Sequence, residues 1–144
     1  MDFFGAVFDL RKYDPAQPLR VNDLTLSFAR TLHYIESYAI RAECDGASIT
    51  YSGDTAPCDE VVELARGTAL FLCEATLALE SEKPPRGHSS AREAGAMAQR
   101  AGAARLALTH YYADADPLAL AQAAGAEFSG PVTVVDDGSE FELG

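Results

Sequence analysis

Ala47-Ser48-Ile49-Thr50-Tyr51 runs straight into Ser52-Gly53-Asp54-Thr55, and this stretch separates two kinds of pattern in the chain. Its first five residues read as the second arm of a hairpin. Tyr38 to Cys44 is the first arm, and Asp45-Gly46 supplies the positive φ that a tight turn needs. Ser52-Gly53-Asp54-Thr55 then leaves the strand as a loop. Upstream, Leu19-Arg20-Val21, the turn Asn22-Asp23 and Leu24 to Arg30 form another hairpin, with Leu24, Leu26 and Phe28 alternating onto one face. Downstream, the pattern changes to alternating helix and strand.

That second part begins with a helix over about Cys58 to Ala65, stopped by Gly67, and a strand from Ala69 to Cys73 that ends at Glu74. Glu80 to Gly87, with Pro84-Pro85, reads as a polar surface loop leading to His88. Ser90-Ala91-Arg92-Glu93 has capping-box spacing and opens a helix to about Ala101, ended by Gly102. Its small residues Ala91, Ala94, Ala98 and Ala101 suit close packing on a sheet. A strand from Arg105 to Thr109 delivers His110, a helix follows over about Pro117 to Ala124, and Val132 to Val135 gives a last strand before an acidic tail. There is no internal repeat, low-complexity tract or linker, so residues 1–144 read as one domain.

The strands at Ala69 to Cys73 and Leu106 to Leu108 are apolar on both faces, as in sheets covered on each side. Three short helices can cover only one face. The other face is therefore expected to pack against something not fully encoded here; the alternative is that Phe3, Phe4, Val7 and Phe8, in a region that reads as a strand, fold back over it.

Composition narrows the function. At 144 residues and 48% hydrophobic, the chain is long enough for one domain with a core. No apolar run approaches the roughly 18 to 20 residues a membrane helix needs, and Met1-Asp2-Phe3-Phe4 lacks the basic flank of a secretory signal, so a cytoplasmic setting is expected. Cys44, Cys58 and Cys73 are odd in number, without CxxC spacing, and read as buried thiols. A net charge of −11 disfavours extended nucleic-acid binding, while a bound metal pair could still attract a small phosphodiester locally.

Residues just past the carboxyl ends of neighbouring strands gather along one edge of an open α/β sheet, where ligands bind. Asp54, Glu74 and His110 occupy such positions. Metal-pair hydrolysis needs a bridging carboxylate and imidazoles to hold two cations about 3.5 to 4 Å apart. Asp54 fits the bridge, and His33 and His110 fit one terminal ligand on each cation. Each residue also has a plain structural reading: Asp54 as a turn-former, Glu74 and His110 as polar strand ends, His88 as a residue before a helix cap. The three histidines are His33, His88 and His110, fewer donors than a complete two-metal site usually has.

Five pieces in order carry a resemblance: His33 to Arg41, Tyr51-Ser52-Gly53-Asp54-Thr55, Cys73-Glu74-Ala75-Thr76, Gly87-His88-Ser89-Ser90 with Glu93-Ala94, and Leu106-Ala107-Leu108-Thr109-His110. With them the chain resembles the carboxyl-terminal half of the metallo-β-lactamase superfamily, in its ribonuclease Z-like branch of metal-dependent hydrolases. The resemblance implies half of an αββα sandwich, an α/β fold with a mixed sheet and helices on one face. It implies a zinc pair with His33 on one ion, Asp54 bridging and His110 on the other. It also implies His88 as the imidazole that protonates a leaving oxygen, oriented by Glu74. Cys73 stands where the branch has histidine in His-Glu-Ala-Thr, which weakens any reading as a tRNA-maturing enzyme. The family's amino-terminal His-x-His-x-Asp-His motif occurs nowhere in the chain.

Two functions are therefore expected to compete. One is a zinc-dependent hydrolase of phosphodiesters or related small esters, inactive as an isolated single chain and completed by an amino-terminal half. The other is a non-catalytic half-domain, a homodimer packing sheet on sheet as an assembly or binding module.

Overall fold

Asp45 and Gly46 both take left-handed backbone, with φ of 51° and 83°, and close the hairpin between β3 (Tyr38–Cys44) and β4 (Ala47–Tyr51). The structure is a computed structural model and describes residues 3–9 and 11–143. β1 (Leu19–Val21) and β2 (Leu24–Arg30) precede this hairpin, and β5 (Leu70–Glu74), β6 (Leu106–Thr109) and β7 (Val132–Val134) follow it. The seven strands form one mixed sheet whose spatial order follows the sequence. β1 to β4 pair antiparallel, and β4 to β7 pair parallel. β4 is the strand at which the pattern switches, as the quoted stretch predicts.

The parallel half needs crossovers, and three helices supply them: α2 (Asp59–Leu64), α3 (Ala91–Ala101) and α4 (Pro117–Gly125); a short α1 (Phe3–Val7) precedes the sheet. The predicted capping box opens α3, with Ser90 and Glu93 bonding reciprocally, and Gly102 ends it at φ 62°. Asp116 caps α4, where Pro117 occupies the first turn. Val61, Met97, Ala98 and Leu120 from the helices pack on Ala39, Phe71, Cys73, Leu106 and Leu108 of the sheet. Each large apolar side chain removed from water there contributes about 1.5 to 3 kcal/mol.

The opposite face carries two rows set by strand register, Leu26-Ala42-Ile49-Leu70 and Phe28-Ile40-Tyr51-Leu72. Its cover differs from the amino-terminal fold-back weighed above. Phe4 and Val7 on α1 and Phe8 just past it are 61%, 59% and 57% exposed, and α1 is a helix and not a strand; the side chain of Phe3 lies outside the described residues. Tyr13 instead stacks on Phe28 with ring centroids 4.4 Å apart. Residues 135–139 and Phe141 line a cavity with Ile49, Leu70 and Leu72. Toward β1 the face stays open, with Val21 and Leu24 both above 40% exposed. No helix among the described residues is long and apolar enough to cross a membrane.

Candidate metal centre

Register brings the parallel strands to a common end. Glu74 pairs with Thr109, Ser52 N–H donates to the Leu72 carbonyl and Ala75 N–H to that of Thr109. Asp54, Glu74 and His110 therefore emerge along one edge. Gly53 makes the turn that presents Asp54: its φ is 59°, and a Cβ there would lie 3.0 Å from the Tyr38 carbonyl oxygen. His110 also sits in left-handed backbone, φ 53°. That is an uncommon conformation for a non-glycine residue, of the kind that concentrates at functional sites.

His33 arrives from the loop between β2 and β3. A single bridge between Leu32 and Ala56 ties this loop to the segment following Asp54, reinforced by Leu32 N–H donating to Thr55 Oγ1 at 3.2 Å. His88 is held by its neighbour Ser89, whose hydroxyl donates to the Thr55 carbonyl at 2.6 Å. His33, Asp54, His88 and His110 line one cleft of about 440 Å³, together with Tyr34, Thr76, Tyr111 and Tyr112.

Asp54 stands between two imidazoles. Its Oδ1 is 3.1 Å from His110 Nδ1 and its Oδ2 is 3.9 Å from His33 Nε2. His33 Nδ1 lies 2.8 Å from the Gly87 carbonyl, which only accepts, so Nδ1 carries a proton and the neutral form of the ring presents its Nε2 lone pair toward Asp54. His88 Nδ1 lies 3.0 Å from Glu74 Oε1, an arrangement that leaves its Nε2 uncommitted. The Thr76 hydroxyl donates to the His110 carbonyl at 3.0 Å and lies 3.1 Å from His110 Nδ1.

Glu74 is fully buried behind the cleft. It accepts from Thr55 N–H at 2.7 Å and Thr76 N–H at 3.1 Å besides the His88 ring. One carboxyl group thus joins the loops that carry Asp54, Thr76 and His88. A second, Glu82, accepts from Gly87 N–H at 2.7 Å and His88 N–H at 3.2 Å, and from the Tyr34 hydroxyl. The Tyr34 hydroxyl, then the Gly87 amide, hold the Glu82 carboxyl below the usual carboxylate range.

Three imidazoles around one carboxylate, with no lysine or arginine lining the cleft, is a donor set for a borderline cation. Ligand atoms of Asp54, His88 and His110 lie within 4.8 Å of one another. His33 approaches the same Asp54 from its other oxygen. The structure thus brings together every residue singled out from the sequence. The contacts of Thr55, Thr76 and Glu82 were not foreseen. Thr55 and Thr76 lie inside quoted motifs, whereas Glu82 sits in a stretch whose composition signals only a surface loop.

A mixed sheet with helices on one face and a histidine–carboxylate cluster at the ends of its parallel strands are the marks of the metallo-β-lactamase fold. The chain belongs to that superfamily, ribonuclease Z-like: the family model for the beta-lactamase superfamily domain matches residues 5–111. It is 39% identical to the protein ML1173 of Mycobacterium leprae, over 99% of this chain and 51% of the relative. It is 44% identical to ribonuclease BN of Escherichia coli over 49% of this chain and 24% of that enzyme. The crystal structure of the metallo-β-lactamase fold protein YhfI from Bacillus subtilis superposes with a TM-score of 0.83 at 28% identity, covering 88% of this chain and 53% of YhfI. The chain thus spans about half the length of ML1173 and of YhfI.

Proposed function

We propose that this chain forms the carboxyl-terminal wall of a metal-dependent hydrolase acting on phosphodiesters or related small esters. The observation that carries this reading is Asp54 between His110 and His33, one oxygen toward each. In it, His33 and His110 would each hold one ion and Asp54 would bridge them. Imidazole and carboxylate donors favour zinc. Such ions, when bound, polarise the ester and generate a nucleophile at neutral pH.

The other work falls to the chain's own residues. His88, oriented through Nδ1 by the buried Glu74, delivers a proton from Nε2 to the leaving oxygen. Glu82 holds the backbone amides of Gly87 and His88 in place, and the Gly87 carbonyl fixes the His33 ring. Each ion would find about two ligands here against the usual three or four from protein, so a complementary amino-terminal half supplies the rest. Three free thiols fit a reducing, cytoplasmic setting.

Zinc stoichiometry and hydrolysis of bis-(p-nitrophenyl) phosphate, measured with and without a coexpressed complementary half, test the proposal. A gain of both on complementation is expected; no gain of either overturns it. The open sheet face at Val21 and Leu24 favours a second reading, a non-catalytic homodimer packed face to face. Sedimentation as a strict monomer would remove it.

A further inference from the structure

Thr76 and Tyr112 line two cavities at once. One is the histidine cleft; the other, about 430 Å³ in volume, lies beside it between the segment following β5 and the start of α4. Its walls are largely aliphatic, with Leu77 and Leu79 on one side and Ala119 and Leu120 on the other. Glu80 and Asp116 are its charged lining residues, and both are acidic. Leu79 and Tyr112 are 59% and 66% exposed, which leaves apolar surface for a ligand to cover.

The wall nearest the cleft is already ordered. Ala78 N–H donates to the Ala75 carbonyl at 2.9 Å, Glu80 N–H to that of Leu77 at 2.9 Å, and the Ala78 carbonyl accepts from Ala91 N–H at 2.8 Å. Ala78 itself is held at φ 51°. Thr76, the shared residue, is pinned to Glu74 through its amide and to His110 through its hydroxyl. A pre-formed, mainly apolar cavity opening beside a polar reactive group is the usual form of a small-molecule subsite.

We propose that this second cavity receives an uncharged apolar substituent of aryl size, one of the two ester groups of the substrate, while the ester itself lies in the histidine cleft. The inference rests on the hydrolase reading and narrows its substrate class. The two acidic lining residues repel a further phosphate, so polyphosphates and substrates that carry a second anionic arm are disfavoured at the site.

The test is methyl NMR of the chain titrated with phenyl methyl phosphate and, separately, with dimethyl phosphate, with and without added zinc. The phenyl ester is expected to shift the Leu77, Leu79 and Ala119 methyl signals saturably, and dimethyl phosphate to leave them in place. Ala119→Trp, which fills the cavity, should weaken phenyl-ester binding at least tenfold. Leu79→Ala, at an exposed position that does not threaten folding, should weaken it severalfold. Equal perturbation by the two esters, or phenyl-ester binding unchanged in both variants, overturns the inference. Zinc uptake and hydrolysis on complementation without any phenyl preference would sink the subsite and leave the hydrolase reading standing. Phenyl-ester shifts at these methyls without zinc uptake would do the reverse.

Discussion

His88 Nδ1 and Glu74 Oε1 lie 3.0 Å apart, and Glu74 has no exposed surface. The same carboxyl group accepts from the Thr55 and Thr76 amides, so it is the anchor for three loops of the cleft. Glu74→Gln keeps the shape but places an NH2 group against donors, leaving at least one buried donor unpaired. It should lower stability by about 1 to 3 kcal/mol. Urea unfolding reads the loss, and the imidazole nitrogen shifts of His88 read the freed ring. An unchanged urea midpoint with unchanged shifts would refute the anchoring role.

Gly53 and Gly67 separate two effects at positive φ. Both are left-handed, at 59° and 64°, but an added Cβ meets the Tyr38 carbonyl at Gly53 and nothing at Gly67. Gly67→Ala should lose about 1 to 2 kcal/mol from backbone strain alone. Gly53→Ala should lose more and displace Asp54 as well. Thermal unfolding of the two variants side by side decides it, and equal losses would count against the close approach.

Gly95 lies within α3, where alanine ordinarily gains close to 1 kcal/mol over glycine. Here an added Cβ would stand 2.3 Å from the Ala124 carbonyl oxygen and 2.9 Å from its Cα. Separating α3 from α4 should outweigh the propensity gain, with overpacking costing about 1 to 3 kcal/mol. Gly95→Ala is therefore expected to be destabilising in urea, and a stabilised variant would show that the two helices do not approach this closely.

Burial pushes the Cys73 thiol far above the ordinary cysteine range, the neighbouring Glu74 adding to the shift. Cys44 and Cys58 are only half-buried, in contrast to the uniform burial expected from their apolar neighbours. Iodoacetamide on the folded protein should label those two, Cys44 more slowly than a free thiol because burial and then Asp45 raise its pKa, and spare Cys73 until the chain unfolds, as read by peptide mass spectrometry. Labelling of Cys73 in the folded state would mean that the helix layer opens.

Local patterns carried much of this structure. Asp45-Gly46, the Ser90–Glu93 capping box and the alternation of Leu24, Leu26 and Phe28 each place an element through interactions within a few residues, and each element lies where its pattern puts it. Asp54, Glu74 and His110 were legible for a related reason, since a residue that ends a parallel strand must emerge at that edge of the sheet. Glu82 was not legible. Its partners Tyr34, Gly87 and His88 come from two separate stretches, and a polar loop composition does not encode which amides a carboxylate will meet.

The order of motifs, the strand and helix boundaries from Leu19 onward and the choice of histidine and carboxylate donors belong to the amino-acid sequence, because turn chemistry, capping and hydrophobic period act over short range. Tertiary structure alone decided that His33 and His88 reach Asp54. The Leu32–Ala56 bridge, the Ser89 hydroxyl on Thr55 and the Gly87 carbonyl on His33 are hydrogen bonds between distant segments. They form only after the sheet has aligned the loops that bear them, and with them come the cleft and the apolar cavity beside it.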